Sequence, residues 1–305
     1  MRLFLIAVSL LLAGGVVVFL LLTRPETIPL ADIPESGDPE KGAYVFYAAG
    51  CAACHADPKA KGEERLKLGG GLALKTPFGT FYPPNVSPDE THGIGGWSTA
   101  EFVNAVMRGV APDGSHYFPA FPYTSYTHMS RQDVVDLKAF MDGLPPVAAE
   151  APDHELPLPF RWRRPLGIWK RLFMVDGPLP PIPGADAAVQ RGAYLVNGPG
   201  HCGECHTPRN LLGGPETAWA LTGAPDPSGD GFIPNITPSA DGIGDWTIDD
   251  IAAALKLGIL PDYDTFGGSM IEVQENTAHL TDADRRAIGA YLLSLPPKPS
   301  PWKTK

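Results

Sequence analysis

The alternation of apolar and polar positions divides the chain sharply near its start. Leu3 to Thr23 carries no charge and is flanked by Arg2 and Arg24. At 1.5 Å per residue the run spans about 30 Å, the thickness of a bilayer's hydrocarbon core. Signal-peptide cores run to roughly 7–15 residues before a small-x-small cleavage site. Thr23-Arg24-Pro25-Glu26 offers no such site. An uncleaved transmembrane helix over residues 1–24 is therefore expected, with a long cleaved leader as the alternative. Beyond it no stretch sustains the period-two alternation of a half-buried strand. The rest of the chain is expected to be all-α.

Helix signals then arrive in two matching sets. Asp38-Pro39-Glu40 reads as an N-cap, a proline at the first helical position and an acid in the first turn. The helix continues through Gly42-Ala43-Tyr44, and Gly192-Ala193-Tyr194 repeats it. Asn85-Val86-Ser87-Pro88 returns as Asn235-Ile236-Thr237-Pro238. Gly93-Ile94-Gly95-Gly96-Trp97-Ser98 returns as Gly242-Ile243-Gly244-Asp245-Trp246-Thr247. Each Trp precedes a capping signature, Ser98-x-x-Glu101 and Thr247-x-x-Asp250, and each following helix should stop at a C-cap glycine, Gly109 or Gly258. Final helices are expected over Ser130–Asp142 and Thr281–Leu295, with Asp133 and Asp284 complementing their dipoles. Gly42 and Gly192 beside Phe140 and Tyr291 suggest a close crossing of first and last helices in each set. The expected organisation is an anchor (1–24), a first domain (38–147), a Pro-rich linker (148–184) and a second domain (185–298).

Composition adds constraints of its own. A chain of 305 residues suits about two domains, and Gly and Pro at 34 each promise many loops. A net charge of −10 argues against nucleic acid as a partner. The linker runs against that balance with Phe160-Arg161-Trp162-Arg163-Arg164 and Trp169-Lys170-Arg171-Leu172-Phe173. Its aromatics are expected to pin it across the seam between domains while the cations stay wet.

The chemistry is concentrated in the cysteines. All four lie in Cys51-Ala52-Ala53-Cys54-His55 and Cys202-Gly203-Glu204-Cys205-His206. Cys-x-x-Cys-His is the attachment pattern of a c-type haem. Two thiols one helical turn apart can form thioethers with the porphyrin vinyl groups, and the adjoining His supplies the proximal iron ligand. A zinc site would want its Cys pairs close in sequence, and a thioredoxin-like pair would need neither the His nor a second copy. Structural disulfides would scatter the cysteines. Two covalently bound haem c groups are expected, held by Cys51, Cys54, Cys202 and Cys205, with His55 and His206 on the irons. Because the haems account for every cysteine, their number says nothing independent about the redox compartment.

Gly50 to His55, Thr76-Pro77-Phe78-Gly79-Thr80, Asn85 to Pro88, Phe121-Pro122-Tyr123 and His201 to Asn210 resemble the cytochrome c subunits of bacterial membrane-bound alcohol and gluconate dehydrogenases. Free-standing dihaem relatives share the likeness, which covers nearly all of Gly42 to Pro297. It implies two tandem class I cytochrome c domains behind one transmembrane helix. Those dehydrogenase subunits usually carry three haems where this chain has two motifs, and they often place Met where Phe121 stands.

A six-coordinate haem needs a second axial ligand, and a thioether opposite His raises the potential by favouring Fe(II). In the second domain Met270 is the only methionine. In the first, the repeat pairs Met107 with Lys256, a position expected to face water, and Met141 with Leu292, a packing position. Met174 lies in the linker. Met129 remains, with His128 and His116 as rivals. His92, His154, His201 and His279 read as surface or loop residues, and Arg209 as a haem-propionate partner or a solvated cation. The expected function is single-electron transfer in the periplasm, on a single-pass anchor in a bacterial inner membrane. The donor would be a dehydrogenase and the acceptor an oxidase or another cytochrome. The alternative is a dihaem enzyme, peroxidase-like or thiosulfate-oxidising, with one reactive haem.

Overall fold

The fold is described by a computed structural model covering residues 1–227, 229 and 231–302. It is mostly helical. The apolar helix α1 (Arg2–Leu22) buries none of its residues. Next come α2 (Pro39–Ala48), α3 (Cys51–His55), α4 (Thr99–Arg108), α5 (Tyr123–Tyr126) and α6 (Arg131–Met141). A linker helix, α7 (Leu166–Phe173), leads to α8 (Ala187–Asn197), α9 (Gly203–His206), α10 (Ile248–Leu257), α11 (Met270–Thr277) and α12 (Asp282–Ser294).

Two hydrophobic cores follow the two sets of helices. One is built on Phe46, Val103 and Val134 of α2, α4 and α6, the other on Val196, Ile251 and Leu292 of α8, α10 and α12. In each half the first and last helices cross on glycine. A Cβ on Gly42 would lie 1.9 Å from the Asp136 carbonyl oxygen, and one on Gly192 1.9 Å from that of Ala287. Phe140 and Tyr291 flank those crossings, as the sequence suggests. Both capping boxes form, and α4 and α10 end on Gly109 and Gly258 at φ 58° and 72°. In that left-handed region glycine carries no Cβ penalty.

Two short ribbons depart from the all-α expectation. Strands β1 (Leu74–Thr76) and β2 (Gly79–Phe81) pair antiparallel, and so do β3 (Ala224–Pro225) and β4 (Phe232–Ile233). Strands of two or three residues are too short to show alternation, so pattern reading misses them. Each ribbon leads into an Asn that ties its half together. Asn85 Nδ2 donates to the carbonyls of Val147 and Ala149 at 2.6 and 2.8 Å, beyond α6. Asn235 Nδ2 donates to the Lys298 carbonyl at 2.9 Å, beyond α12.

The halves meet through reciprocal contacts. Tyr44 on α2 donates to Asp284 in the first turn of α12 at 2.6 Å and accepts from the Thr281 amide at 3.1 Å. Tyr194 on α8 donates to Asp133 in the first turn of α6 and accepts from the Ser130 amide at 3.3 Å. His279 stacks on Tyr47 with ring centroids 3.7 Å apart, and His201 packs edge-on against Tyr126. Both histidines are the loop residues expected, His279 exposed in a turn, and each also packs on a tyrosine of the other half.

The linker does more than cross the seam. Trp169 donates to the Leu212 carbonyl at 2.9 Å in the second half, as expected of a pinning aromatic. Its cations, however, are not simply wet. Lys170 Nζ donates to the carbonyls of Arg108 and Gly109 at 2.6 and 2.7 Å, capping α4. Arg171 donates to the Leu22 carbonyl at 2.8 Å and Arg164 to Thr23 Oγ1 at 2.9 Å, at the end of α1. Met107 is corrected for the same reason. It is 4% exposed within the first core and does not face water. Ile28 donates its amide to Asn104, Lys170 covers the end of α4, and Arg108 pairs with Asp176. Those segments bury a side of α4 that its counterpart α10, bearing Lys256, leaves open.

Candidate haem-binding sites

Each motif forms a short helical turn. In α3 the thiols of Cys51 and Cys54 stand three residues apart on one face, and Cys202 and Cys205 repeat the spacing at α9. The turn begins from a left-handed residue, Gly50 at φ 60° in the first copy. His201 takes that place in the second at φ 39°, its ring held 2.7 Å from the Pro199 carbonyl. All four thiols are free. Burial pushes Cys51 and Cys202 up to about 12 each.

The two histidines are held identically. Nδ1–H of His55 donates to the Pro84 carbonyl at 2.9 Å, and that of His206 to the Pro234 carbonyl at 2.8 Å. A second clamp closes each motif, the Gly70 amide on the His55 carbonyl at 2.7 Å and the Gly223 amide on the His206 carbonyl at 2.8 Å. An Nδ1–H bonded to a carbonyl fixes the tautomer and leaves Nε2 with its lone pair free for a metal. Burial lowers the pKa of both rings, which keeps them neutral, the form that ligates. Paired free thiols beside an oriented neutral imidazole are the donor set that a covalent haem requires. The two proline carbonyls are the functional groups that side-chain reading missed. Their signal was available: each proline directly precedes the repeated Asn85 or Asn235.

The motifs approach each other across the seam. Cys54 is pushed up to about 11 by burial first and then by the neighbouring Cys205. Glu204, inside the second motif, accepts from Thr124 Oγ1 at 2.6 Å and Ser125 Oγ at 2.8 Å on α5 of the first half. Burial raises the pKa of this carboxyl, but Arg209, Thr124 and Ser125 outweigh it and hold the group below its usual range. Arg209 stays 28% exposed at its side chain and is engaged within the motif. It pairs with Glu204 and donates to the Gly213 carbonyl at 3.1 Å. On the opposite side, Arg65 bonds Glu272 and Glu275 of α11, the latter at 2.8 Å.

Comparison with known proteins follows the same lines. The Cytochrome c family model matches residues 39–145. A protein of Cereibacter sphaeroides named diheme cytochrome c-type is 50% identical over 280 residues, 88% of this chain and 92% of that one. The chain belongs to the dihaem c-type cytochromes. This cytochrome is also 43% identical over 286 residues to the cytochrome c subunit of a quinone alcohol dehydrogenase from Gluconacetobacter polyoxogenes. It is 38% identical over 265 residues to the cytochrome c subunit of gluconate 2-dehydrogenase from Pantoea cypripedii. Those matches cover 88% and 84% of the cytochrome but 59% of each dehydrogenase subunit.

The candidate sixth ligands of the cytochrome fall at different registers. Met270 opens α11 and is half-buried. The Tyr117 amide bonds the Gly109 carbonyl and the Phe266 amide the Gly258 carbonyl, which aligns the two loops and sets Phe121 opposite Met270. Met129 is 2% exposed, bonded by its amide to the Tyr126 carbonyl. It shares that place with Leu280, whose amide bonds the Thr277 carbonyl. Both nitrogens of His116 are taken, Nε2 by the Thr23 carbonyl at 2.9 Å and Nδ1 by Lys170 at 3.1 Å. His128 meets the Gly177 carbonyl through Nδ1 at 2.6 Å, and its Nε2 has no partner among the described residues. His154 packs between Phe81 and Phe118, and His92 bonds Asp89 at the surface.

Proposed function

We propose that the chain is a membrane-anchored electron carrier with two haem c groups, passing single electrons from a dehydrogenase to a terminal acceptor. The observation that carries this reading is the duplicated motif with its identically clamped histidine. Haem, when bound, supplies the one-electron chemistry. The chain's own residues would attach it through Cys51, Cys54, Cys202 and Cys205 and hold His55 and His206 ready as iron ligands. The two halves are read as tandem class I cytochrome c domains over 38–147 and 185–298. The hydrogen bonds of Glu204, inside the second motif, to α5 of the first half support a short step between the haems. Met270 is proposed as the sixth ligand of the second haem and Met129 as that of the first.

The donor is proposed to be a periplasmic or membrane dehydrogenase, by analogy with the subunits named above, and the acceptor an oxidase or another cytochrome. Helix α1 is proposed to cross a bacterial inner membrane once, with the haem domains in the periplasm. Its docking supports retention. Thr23 is fully buried, and Arg164 and Arg171 bond the last turn, contacts that a cleaved leader would forfeit. One observation favours the rival reading of a dihaem enzyme: Phe121, which cannot coordinate, stands at the register of Met270. Expression in a host with haem-maturation machinery tests both. The intact mass should show two haems per chain, and a potentiometric titration should take up two electrons with both haems low-spin. One haem, or a high-spin first haem that turns over peroxide, would overturn the carrier reading.

A further inference from the structure

The linker exposes more apolar surface than a solvated strap requires, and it does so beside the end of α1. Leu158 is 80% exposed, Trp162 59% and Leu172 64%, with Leu211 at 97% in the loop beyond α9. Contacts join most of these into one ridge. Trp162 meets Phe19 in the last turns of α1 at 5.4 Å, and Phe160 meets Phe78 at 5.3 Å. Phe78 lies 3.3 Å or less from where a Cβ on Gly213 would stand, beside Leu211 and Leu212. Arg171 ties α7, with Leu172, to the Leu22 carbonyl. The ridge therefore starts at the apolar helix and reaches the second half.

Its charge is opposite to that of the chain. From Phe160 to Val175 there is no acid, in a protein of net charge −10. Although Lys170 is spent on capping α4 and Arg171 pairs with Glu26, Arg161, Arg163 and Arg164 form no ion pair among the described residues. Tryptophan and cations at the end of a membrane-spanning helix favour the headgroup layer, where an apolar body and a polar tip are both satisfied. Cations there also gain attraction from anionic lipid.

We propose that this ridge is a membrane-seated foot, bound in the interfacial layer of an anionic bilayer and fixing the tilt of the haem-bearing halves. The proposal rests on the reading of α1 as a membrane anchor. Continuity with that helix and the reversed charge select lipid over a protein partner.

The test uses the full haem-loaded chain in phosphatidylcholine vesicles, with and without phosphatidylglycerol. Benzoylphenylalanine is placed singly at Leu158, Trp162 or Leu211, at Leu11 within α1, and at exposed Tyr263 for comparison. After irradiation, lipid adducts are measured by mass. Adducts at the three ridge positions approaching the Leu11 level, increased by phosphatidylglycerol and absent at Tyr263, are expected. Adducts at Leu11 with none on the ridge would overturn the foot and leave the anchor standing. No adduct even at Leu11 would overturn both. In native membranes, a cross-link from the ridge to a second protein in place of lipid would assign it to a docking partner and likewise overturn the proposal.

Discussion

Phe121 and Met270 occupy the same register, and so do Met129 and Leu280, so the two halves cannot present a thioether to iron from the same place. A Met→Leu change keeps volume and usually costs less than about 1.5 kcal/mol of stability, which separates ligation from packing. Met270→Leu should turn the second haem high-spin and lower its potential, leaving the first unchanged. Met129→Leu should do the same to the first haem alone. Met107→Leu and Met141→Leu, also buried in that core, should leave both spectra unaltered. Visible and electron-paramagnetic spectra with a potentiometric titration read all four. Two low-spin haems after Met129→Leu would make Met129 a core residue, with His128 next to be substituted.

Helix limits were legible because their chemistry is local: Asp38, Ser98, Ser130, Thr247 and Thr281 all cap the helices assigned to them. The glycine crossings were legible too, since a small residue and an aromatic recur at matching places. Less of the site could be read. The groups that orient His55 and His206 are backbone carbonyls, marked in the sequence only by the repeated Asn85 and Asn235 that follow them. The environment of Met107 depends on a tether and a linker remote in sequence, so comparison with Lys256 misled. The crossings carry a test of their own. Gly192→Ala would drive a methyl into the Ala287 carbonyl, so α8 and α12 must part. Overpacking of this kind costs about 1–3 kcal/mol, occasionally more. Thermal unfolding should fall accordingly, while Gly143→Ala, where the nearest atom is 3.5 Å away, should have little effect.

The seam holds the halves through paired tyrosine–carboxylate bonds, and one of its acids is tuned. Burial raises the pKa of Asp284, but Arg191 and Tyr44 bond it and hold it below the usual carboxylate range. A group with a depressed folded-state pKa adds stability above its unfolded value, about 3.9, and loses it as pH falls through the folded value. The melting temperature should therefore drop below about pH 4. That drop should be shallower in Tyr44→Phe, which has already lost part of the effect. At neutral pH Tyr44→Phe and Tyr194→Phe should each cost about 1.5–3 kcal/mol, the worth of a hydrogen bond to a charged group. Calorimetry at a series of pH values gives both numbers. A flat profile with unchanged mutants would show that the seam is held by packing alone.

That reciprocity has a consequence for how the molecule is built. Residue 44 of one half meets residue 284 of the other, while their counterparts 194 and 133 meet in return. Such a pattern is what a two-fold symmetric dimer would leave behind once its protomers were joined into one polypeptide. Fusion removes the requirement that both copies stay alike. It would let one half carry Phe121 and a covered α4 while the other keeps Met270 and an open α10. The reciprocal contacts already dock the two halves, so the connecting segment adds only the Trp169 pin to that seam. It is free to take up the end of the apolar helix α1.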